Sequence, residues 1–102
     1  MEKALNNKAV KELFKVITAL KTKQECKRFM RDLNTLAELK EMAERWQVAK
    51  QVNACLPYRK ISKLTGASTA TITRVAHWLH HGMGGYQLVL HRLKTIQHRR
   101  TA

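Results

Sequence analysis

Hydrophobic residues recur every three or four positions along most of the chain, which is the spacing of one apolar face on a helix. Residues 8–20 carry the first of these stripes, formed by Val10, Leu13, Phe14, Ile17 and Leu20. No segment alternates apolar and polar residues between hairpin turns, so no strand is predicted. The pattern therefore predicts an all-α protein.

Two capping boxes mark the next helix starts. Thr22 and Thr35 are each followed three residues later by a glutamate, so that the hydroxyl can accept from a first-turn N–H while the carboxylate reaches back. The helix after Thr35 is predicted to be the longest and to run to about Ala54. Its expected inward positions are Leu36, Leu39, Met42, Ala43, Trp46, Ala49 and either Val48 or Val52.

Proline and glycine divide the rest of the chain into three further helices, giving six in total. Their predicted spans are about 57–64, about 68–80, and from about 86 into the basic tail. Pro57 lacks an N–H and suits the first position of a helix, while Gly66 and Gly82 are expected to end the first two of these helices.

Charge is divided unequally along the chain, which has 20 Lys and Arg residues against seven Asp and Glu residues and a formal charge of +13. All seven acidic residues lie at or before Glu44, whereas half of the basic residues and all five histidines lie after it. This asymmetry favours a polyphosphate or an acidic membrane face as partner. The alternative is a generally basic domain without a specific anionic partner.

Length and motif content exclude several classes of protein. A chain of 102 residues builds one modest core, and it contains neither a Ser-His-Asp arrangement nor a Gly-rich phosphate loop, so we expect no enzyme. No apolar run approaches the length of a membrane span and the N-terminus does not resemble a signal peptide, which predicts a cytoplasmic protein without membrane contact. Cys26 and Cys55 lack zinc-finger spacing and are expected to be reduced, partly buried thiols.

Residues 57–81 show the pattern of a helix-turn-helix. Ile61, Ala67, Ile72 and Val75 are expected to face inward, Ser62 is small where the second helix approaches, and Gly66 permits a turn with positive φ. Thr65 stands before this glycine, where an apolar residue is usual, and Leu64 lies one place early. Any two helices joined in a hairpin can show this pattern. The interpretation as a helix-turn-helix therefore depends also on the basic second half of the chain.

A second helix entering the major groove must present small or hydrogen-bonding side chains to base edges. The residues expected to do so are Ser68, Thr69, Ala70 and Thr73, with Arg74 as a phosphate contact. Arg59, Lys60 and Lys63 on the preceding helix are expected to bind phosphates and set the docking angle. The alternative for the threonine run is helix capping on a surface that binds nothing.

Four segments carry a resemblance to a known family: residues 29–33, 35–45, 65–75 and 82–86, of which Ala70-Thr71-Ile72-Thr73-Arg74 is the most specific. Together, over about residues 25–95, they resemble the trp repressor superfamily and, more narrowly, its YerC/YecD-like branch. The resemblance implies a six-helix fold with a helix-turn-helix, an intertwined homodimer, and binding to operator DNA as a transcriptional regulator, expected to be a repressor. Two-fold symmetry then predicts recognition helices roughly 34 Å apart and a near-palindromic site.

The resemblance also gives a domain organisation. It predicts a single domain over residues 1–102, with dimerisation helices in 1–55, the helix-turn-helix in 57–81, and a C-terminal helix with a basic tail in 86–102. Three amphipathic helices before the hairpin carry more large apolar residues than a small chain covers alone, which independently favours an obligate interface.

The family's effector site carries over in part. The matching positions are Thr35, Arg45, Thr71, Arg74, Val75 and Trp78. In the family, tryptophan sits between two arginines, matched by Arg45 and Arg74, but Val75 and Trp78 replace a glycine and a serine near the ligand. The added bulk disfavours tryptophan as a corepressor, and no cofactor is predicted; Trp78 can supply an indole from within the chain. Without a ligand, Arg45 is expected to pair with Glu41.

Other interpretations remain open. His77 and His81, with His80 nearby, stand one helical turn apart, but no local carboxylate or cysteine joins them, so no metal site is predicted and DNA-facing imidazoles are the alternative. A sequence-tolerant nucleoid or RNA-binding architectural protein would share the charge, although 6% aromatic residues offer few stacking platforms. A module that binds an acidic protein through its long helix is the third class.

Overall fold

A computed structural model describes residues 2–101 and the side chains of residues 3–94. The described residues form helices without strands, which confirms the all-α prediction. The helices are α1 (Glu2–Leu5), α2 (Lys8–Ile17), α3 (Lys23–Leu33), α4 (Leu36–Asn53), α5 (Tyr58–Thr65), α6 (Thr69–His81) and α7 (Gly85–Thr101). The predicted six are α2 to α7, and α1 is a single additional turn. The side chains of the predicted basic tail after Lys94 lie outside the described residues.

The chain forms two compact units, Met1–Leu39 and Lys40–Ala102. The division falls within α4, so the N-terminal unit holds α1 to α3 and the first turn of α4. The C-terminal unit holds the rest of α4 with α5 to α7.

Capping boxes start α3 and α4 in the N-terminal unit. Thr22 Oγ1 accepts from the Glu25 N–H at 3.1 Å, and Glu25 Oε1 accepts from the Lys21 N–H at 3.1 Å, one residue before the cap. Thr35 and Glu38 form the reciprocal pair: Thr35 Oγ1 accepts from the Glu38 N–H at 3.1 Å, and Glu38 Oε1 accepts from the Thr35 N–H at 2.8 Å. The bonds from the backbone and hydroxyl of Thr35 hold the pKa of Glu38 below its usual 4.5.

Helix α2 is shorter than the apolar stripe predicts, because it ends at Ile17 rather than Leu20. The Thr18 hydroxyl donates to the Lys15 carbonyl at 2.6 Å and its N–H donates to the Phe14 carbonyl, so Thr18 closes the helix. Leu20 lies beyond the helix end, and its N–H donates to the Ile17 carbonyl at 3.2 Å.

The N-terminal unit has no buried side chain among its described residues, 3–39. Its large apolar residues stay in contact with solvent in the single chain, including Phe14 at 50%, Leu33 at 50% and Leu36 at 57% exposure. Amphipathic helices gain most of their stability by packing an apolar face, so these faces need a cover that the N-terminal unit does not itself provide.

The C-terminal unit has a compact core that fixes the hairpin. Its members are Val48 and Ala49 of α4, Ile61 of α5, Ala67 of the turn, and Ile72 and Val75 of α6, all at most 2% exposed. Burying one such branched side chain is worth about 1.5–3 kcal/mol. The inward prediction for Ile61, Ala67, Ile72 and Val75 is confirmed, and Val48 rather than Val52 occupies the centre of the core on α4.

A left-handed residue joins α4 to α5. Cys55 has φ 62°, its N–H donates to the Val52 carbonyl at 2.9 Å, and the Leu56 N–H donates to the Gln51 carbonyl at 3.1 Å. These bonds form a Schellman motif at the end of α4. Pro57 has extended ψ and is the N-cap of α5, so the prediction that it takes the first helical position is wrong by one residue.

Both cysteines are free, as expected, but both are exposed. The expectation of partial burial is therefore wrong. Cys26 lies on a helix of the unit without buried side chains, and Cys55 lies in the turn after α4. In the described part of the chain, no helix combines the length and apolarity needed to cross a membrane.

Candidate nucleic-acid interface

Helices α5 and α6 pack across the C-terminal core and are joined by a three-residue turn. Gly66 ends α5 with φ 78°, and its N–H donates to the Ser62 carbonyl at 2.8 Å. A side chain at this position has open space around it, so the left-handed backbone alone requires glycine. The turn glycine therefore acts as predicted.

Two hydroxyl groups tie the turn to α5. Thr65 Oγ1 donates to the Ile61 carbonyl at 2.7 Å and accepts from the Ala67 N–H at 3.1 Å. Ser62 Oγ donates to the Ala67 carbonyl at 2.7 Å. Thr65 thus replaces the usual apolar contact with backbone hydrogen bonds, while Leu64 is 60% exposed. The sequence showed Thr65 to be unusual but not what it bonds to.

Ser68 caps α6. Its Oγ accepts from the Thr71 N–H at 3.2 Å and donates to Thr71 Oγ1 at 3.1 Å, which engages both hydroxyls at the helix start. No hydrogen bond within the described residues engages the hydroxyls of Thr69 and Thr73. The threonine run therefore has a capping part and a part available for a ligand.

The inner and outer faces of α6 are clearly separated. Ile72, Val75, Ala76 and Leu79 are buried. The predicted DNA contacts on the turn and α6, namely Ser68, Thr69, Ala70, Thr73 and Arg74, are all exposed, as are Arg59, Lys60 and Lys63 on α5. These residues form an exposed surface on two adjacent helices, which we call the basic hairpin face.

No acidic residue interrupts the basic hairpin face, because the sequence has no Asp or Glu after Glu44. Every formally charged side chain on α5 and α6 is therefore basic. Such a surface attracts polyanions over distances of about a Debye length.

Beyond the predicted contacts, the last turns of α6 carry three histidines, all of them exposed: His77, His80 and His81. The ring centroids of His77 and His81 are 5.3 Å apart, and those of His80 and His81 are 6.4 Å apart. His77 also meets Trp78 edge to face at 5.2 Å. Within residues 3–94, no three His, Cys, Asp or Glu side chains are arranged to hold a metal ion.

An apolar cavity of about 490 Å³ lies where α6 is followed by α7. Its lining residues are Trp46, Trp78, Gly82, Met83, Gly85, Tyr86 and Val89. The rings of Trp46 and Tyr86 stack with their centroids 6.4 Å apart. Gly82 is required here because a Cβ would collide with the Trp78 carbonyl oxygen. The sequence did not predict this cavity, whose wall combines residues from α4, α6 and α7.

The six predicted effector residues, all of them described, have different surroundings. Trp78 lines the apolar cavity, whereas Val75 is 2% exposed and belongs to the core. The Thr71 hydroxyl accepts a hydrogen bond from the Ser68 cap. Arg45 and Arg74 are exposed. Thr35 lies in the N-terminal unit, where it caps α4.

Comparison with known proteins agrees with this geometry. The Trp repressor protein family matches residues 8–94. The uncharacterised protein YerC of Bacillus subtilis is 42% identical over 93 residues, which cover 91% of this chain and 89% of that protein. The chain belongs to the Trp repressor family.

Solved structures of Trp repressor-like proteins have the same fold. A TrpR-like protein from Eubacterium eligens superposes with a TM-score of 0.86 at 39% identity, covering 90% of this chain and 95% of that one. A candidate Trp repressor from Staphylococcus aureus gives 0.84 at 38% identity, covering 90% and 92%. Membership of the Trp repressor family identifies the α5–α6 hairpin as the helix-turn-helix of a DNA-binding transcription regulator.

Proposed function

We propose that this chain regulates transcription by binding near-palindromic operators in double-stranded DNA as a homodimer, with repression as the expected outcome. The observation that carries the proposal is the acid-free basic hairpin face, with the Thr69 and Thr73 hydroxyls unengaged on α6. Family membership gives the class of regulator, and this surface supports its ligand and its sequence selectivity.

The side chains of the hairpin divide into two roles. Thr69, Ala70 and Thr73 offer hydroxyl and methyl groups to base edges in the major groove. Arg59, Lys60 and Lys63 contribute phosphate contacts that fix the docking angle and most of the affinity. The Ser68 hydroxyl is engaged in capping α6. We therefore expect Ser68 to lie close to the DNA because of its position at the helix start and not to contact a base through its hydroxyl.

A second copy of the chain is the cover that the exposed apolar surfaces require. The N-terminal unit buries no described side chain, and the C-terminal unit leaves Met83 at 89% and Leu88 at 51% exposure. Large apolar side chains left exposed on successive helices are typical of an interaction site. A homodimer also supplies two recognition helices for a symmetric site.

The proposed regulator does not require tryptophan. Burial of Val75 supports this, since its side chain fills core space at a position where the family has a glycine. Trp78 also already supplies an indole to the wall of the apolar cavity. Calorimetric titration with tryptophan tests this part of the proposal: we expect no saturable heat, and saturable binding would contradict it.

Selection from a pool of randomised duplexes tests the function. We expect one inverted repeat to be enriched, with half-sites about one helical turn apart. The enriched duplex should then bind at least about a thousandfold more tightly than a scrambled duplex at equal salt. Enrichment of no sequence, together with similar affinity for many duplexes or for RNA, would instead favour a sequence-tolerant architectural protein.

A further inference from the structure

His77 and His81 lie on the same stripe of α6 as two residues of the proposed DNA contact. Ala70, Arg74, His77 and His81 follow one another at steps of four, three and four residues, which places them on one side of a helix. All four are exposed, and the buried residues of α6 lie on the opposite side. The stripe that begins in the reading region therefore continues with two imidazoles.

The charged residues on the helices of this unit are mostly basic. On α6 itself the other charged or titratable residues are Arg74 and His80, and the His80 ring centroid lies 6.4 Å from that of His81. The other helices of the unit carry Arg59, Lys60 and Lys63 on α5, His91, Arg92 and Lys94 on the described part of α7, and Lys40, Glu41, Glu44, Arg45 and Lys50 on α4. Carboxylates are therefore confined to the first turns of α4 in this unit. A protonated imidazole at this pair therefore has no carboxylate on α5, α6 or the described part of α7 to balance its charge, and a bound anion would supply that balance.

The two rings are close enough to share one anion. Their centroids are 5.3 Å apart, so two imidazolium groups would repel each other in the free protein, and a phosphate between them would relieve that repulsion. A charged imidazole donates a strong hydrogen bond to a phosphate oxygen. Protonation and phosphate binding at this pair therefore favour each other.

We propose that His77 and His81 form a proton-linked contact to the backbone phosphates of duplex DNA, so that DNA binding takes up protons. This inference rests on the proposed function and extends its interface by one to two helical turns. Histidine is the side chain that changes charge between about pH 8 and pH 5. Because a charged imidazole donates the stronger hydrogen bond to phosphate, this contact is expected to strengthen as the pH falls.

Fluorescence anisotropy with a labelled mixed-sequence duplex of about 30 base pairs, roughly three helical turns, tests the proposal at fixed salt. We expect the wild-type Kd to be at least about tenfold lower at pH 5.5 than at pH 8, and the salt slope at the acidic end to increase by about 0.9 for each phosphate gained. The double variant His77→Gln/His81→Gln should lose most of this pH dependence.

Two further variants separate charge from structure. His77→Lys/His81→Lys keeps a positive charge at every pH and should bind at pH 8 about as tightly as the wild type does at pH 5.5. His91→Gln removes an imidazole from α7 and should keep the wild-type profile. Circular dichroism of each variant checks that the helices are intact.

The outcomes distinguish this proposal from the function on which it rests. Duplex binding with a flat pH profile, or a full pH dependence in the double glutamine variant, would overturn the histidine contact and leave the DNA-binding function standing. Absence of duplex binding at every pH would overturn both.

Discussion

Cys55 holds a backbone conformation that costs most side chains free energy. Its φ of 62° completes the Schellman motif after α4, a position where glycine is usual. We expect Cys55→Gly to raise the free energy of unfolding by up to about 1 kcal/mol, because the left-handed strain of a Cβ exceeds the entropy that glycine adds to the unfolded chain.

Urea titration followed by circular dichroism measures this effect. Cys26→Gly is the matched control, because it removes the other exposed thiol from the interior of α3 and should lower stability by about 0.5–1 kcal/mol. Equal losses in both variants would show that the turn at Cys55 is unstrained.

Glu38 gives a second prediction, which concerns acid stability. Its pKa is lowered in the folded chain by the backbone N–H of Thr35 and then by the Thr35 hydroxyl, so the stabilising effect is present above the unfolded value and disappears as the pH falls through the lower folded value. Glu38→Gln should therefore be less stable than the wild type at neutral pH and equal to it below the folded pKa. Thermal melts at both pH values test this, and a constant difference would contradict it.

At the level of helices, the proposed function assigns two kinds of DNA contact to the α5–α6 hairpin. Thr73→Ala removes an unengaged hydroxyl from α6 and should change base preference, with a loss of about 0.5–1.5 kcal/mol limited to the selected sequence. Lys63→Ala removes a proposed phosphate contact from α5 and should weaken all duplexes alike, reducing the salt slope by about one.

Anisotropy with the selected and a scrambled duplex compares the two variants, and each serves as the control for the other. Equal losses on both duplexes for both variants would contradict this division of roles. Thr71→Ala is a third variant for comparison. It removes the hydroxyl that accepts from the Ser68 cap, so it should lower the stability of α6 before it affects DNA binding.

Periodicity and capping residues predicted the helices well because both are local signals. The starts at Thr22 and Thr35, the end at Gly66 and the inward residues of α5 and α6 follow from spacing alone. The N-cap position of Pro57 and the hydrogen bonds of Thr65 depend on backbone geometry between helices, which spacing does not encode. The apolar cavity lined by Trp46 and Tyr86 combines segments that are far apart in the sequence, so only the folded structure reveals it.

For the whole molecule, the exposed face of α2 gives a test of the dimer. Phe14 is half exposed in the single chain, so Phe14→Glu should affect the protomer little but weaken a homodimer by about 2 kcal/mol or more. Analytical ultracentrifugation should show a shift from dimer to protomer, whereas Lys15→Glu, which adds an acid on the neighbouring exposed position, should remain dimeric.

A wild-type chain that sediments as a protomer at micromolar concentration would contradict the proposed dimer. The predicted dimerisation region, residues 1–55, also stays a prediction until this measurement. The two compact units divide after Leu39, and helical periodicity cannot indicate such a boundary because it continues unchanged through α4.

The lack of buried side chains in residues 3–39 has a consequence for dosage. In a homodimer built on this unit, association supplies the missing core, so the melting temperature rises with protein concentration by mass action. At concentrations below the dimer dissociation constant, and while most of the operator is unoccupied, occupancy of a symmetric operator grows with the square of the protomer concentration. A twofold change in expression then produces about a fourfold change in occupancy, which sharpens the genetic response without any effector.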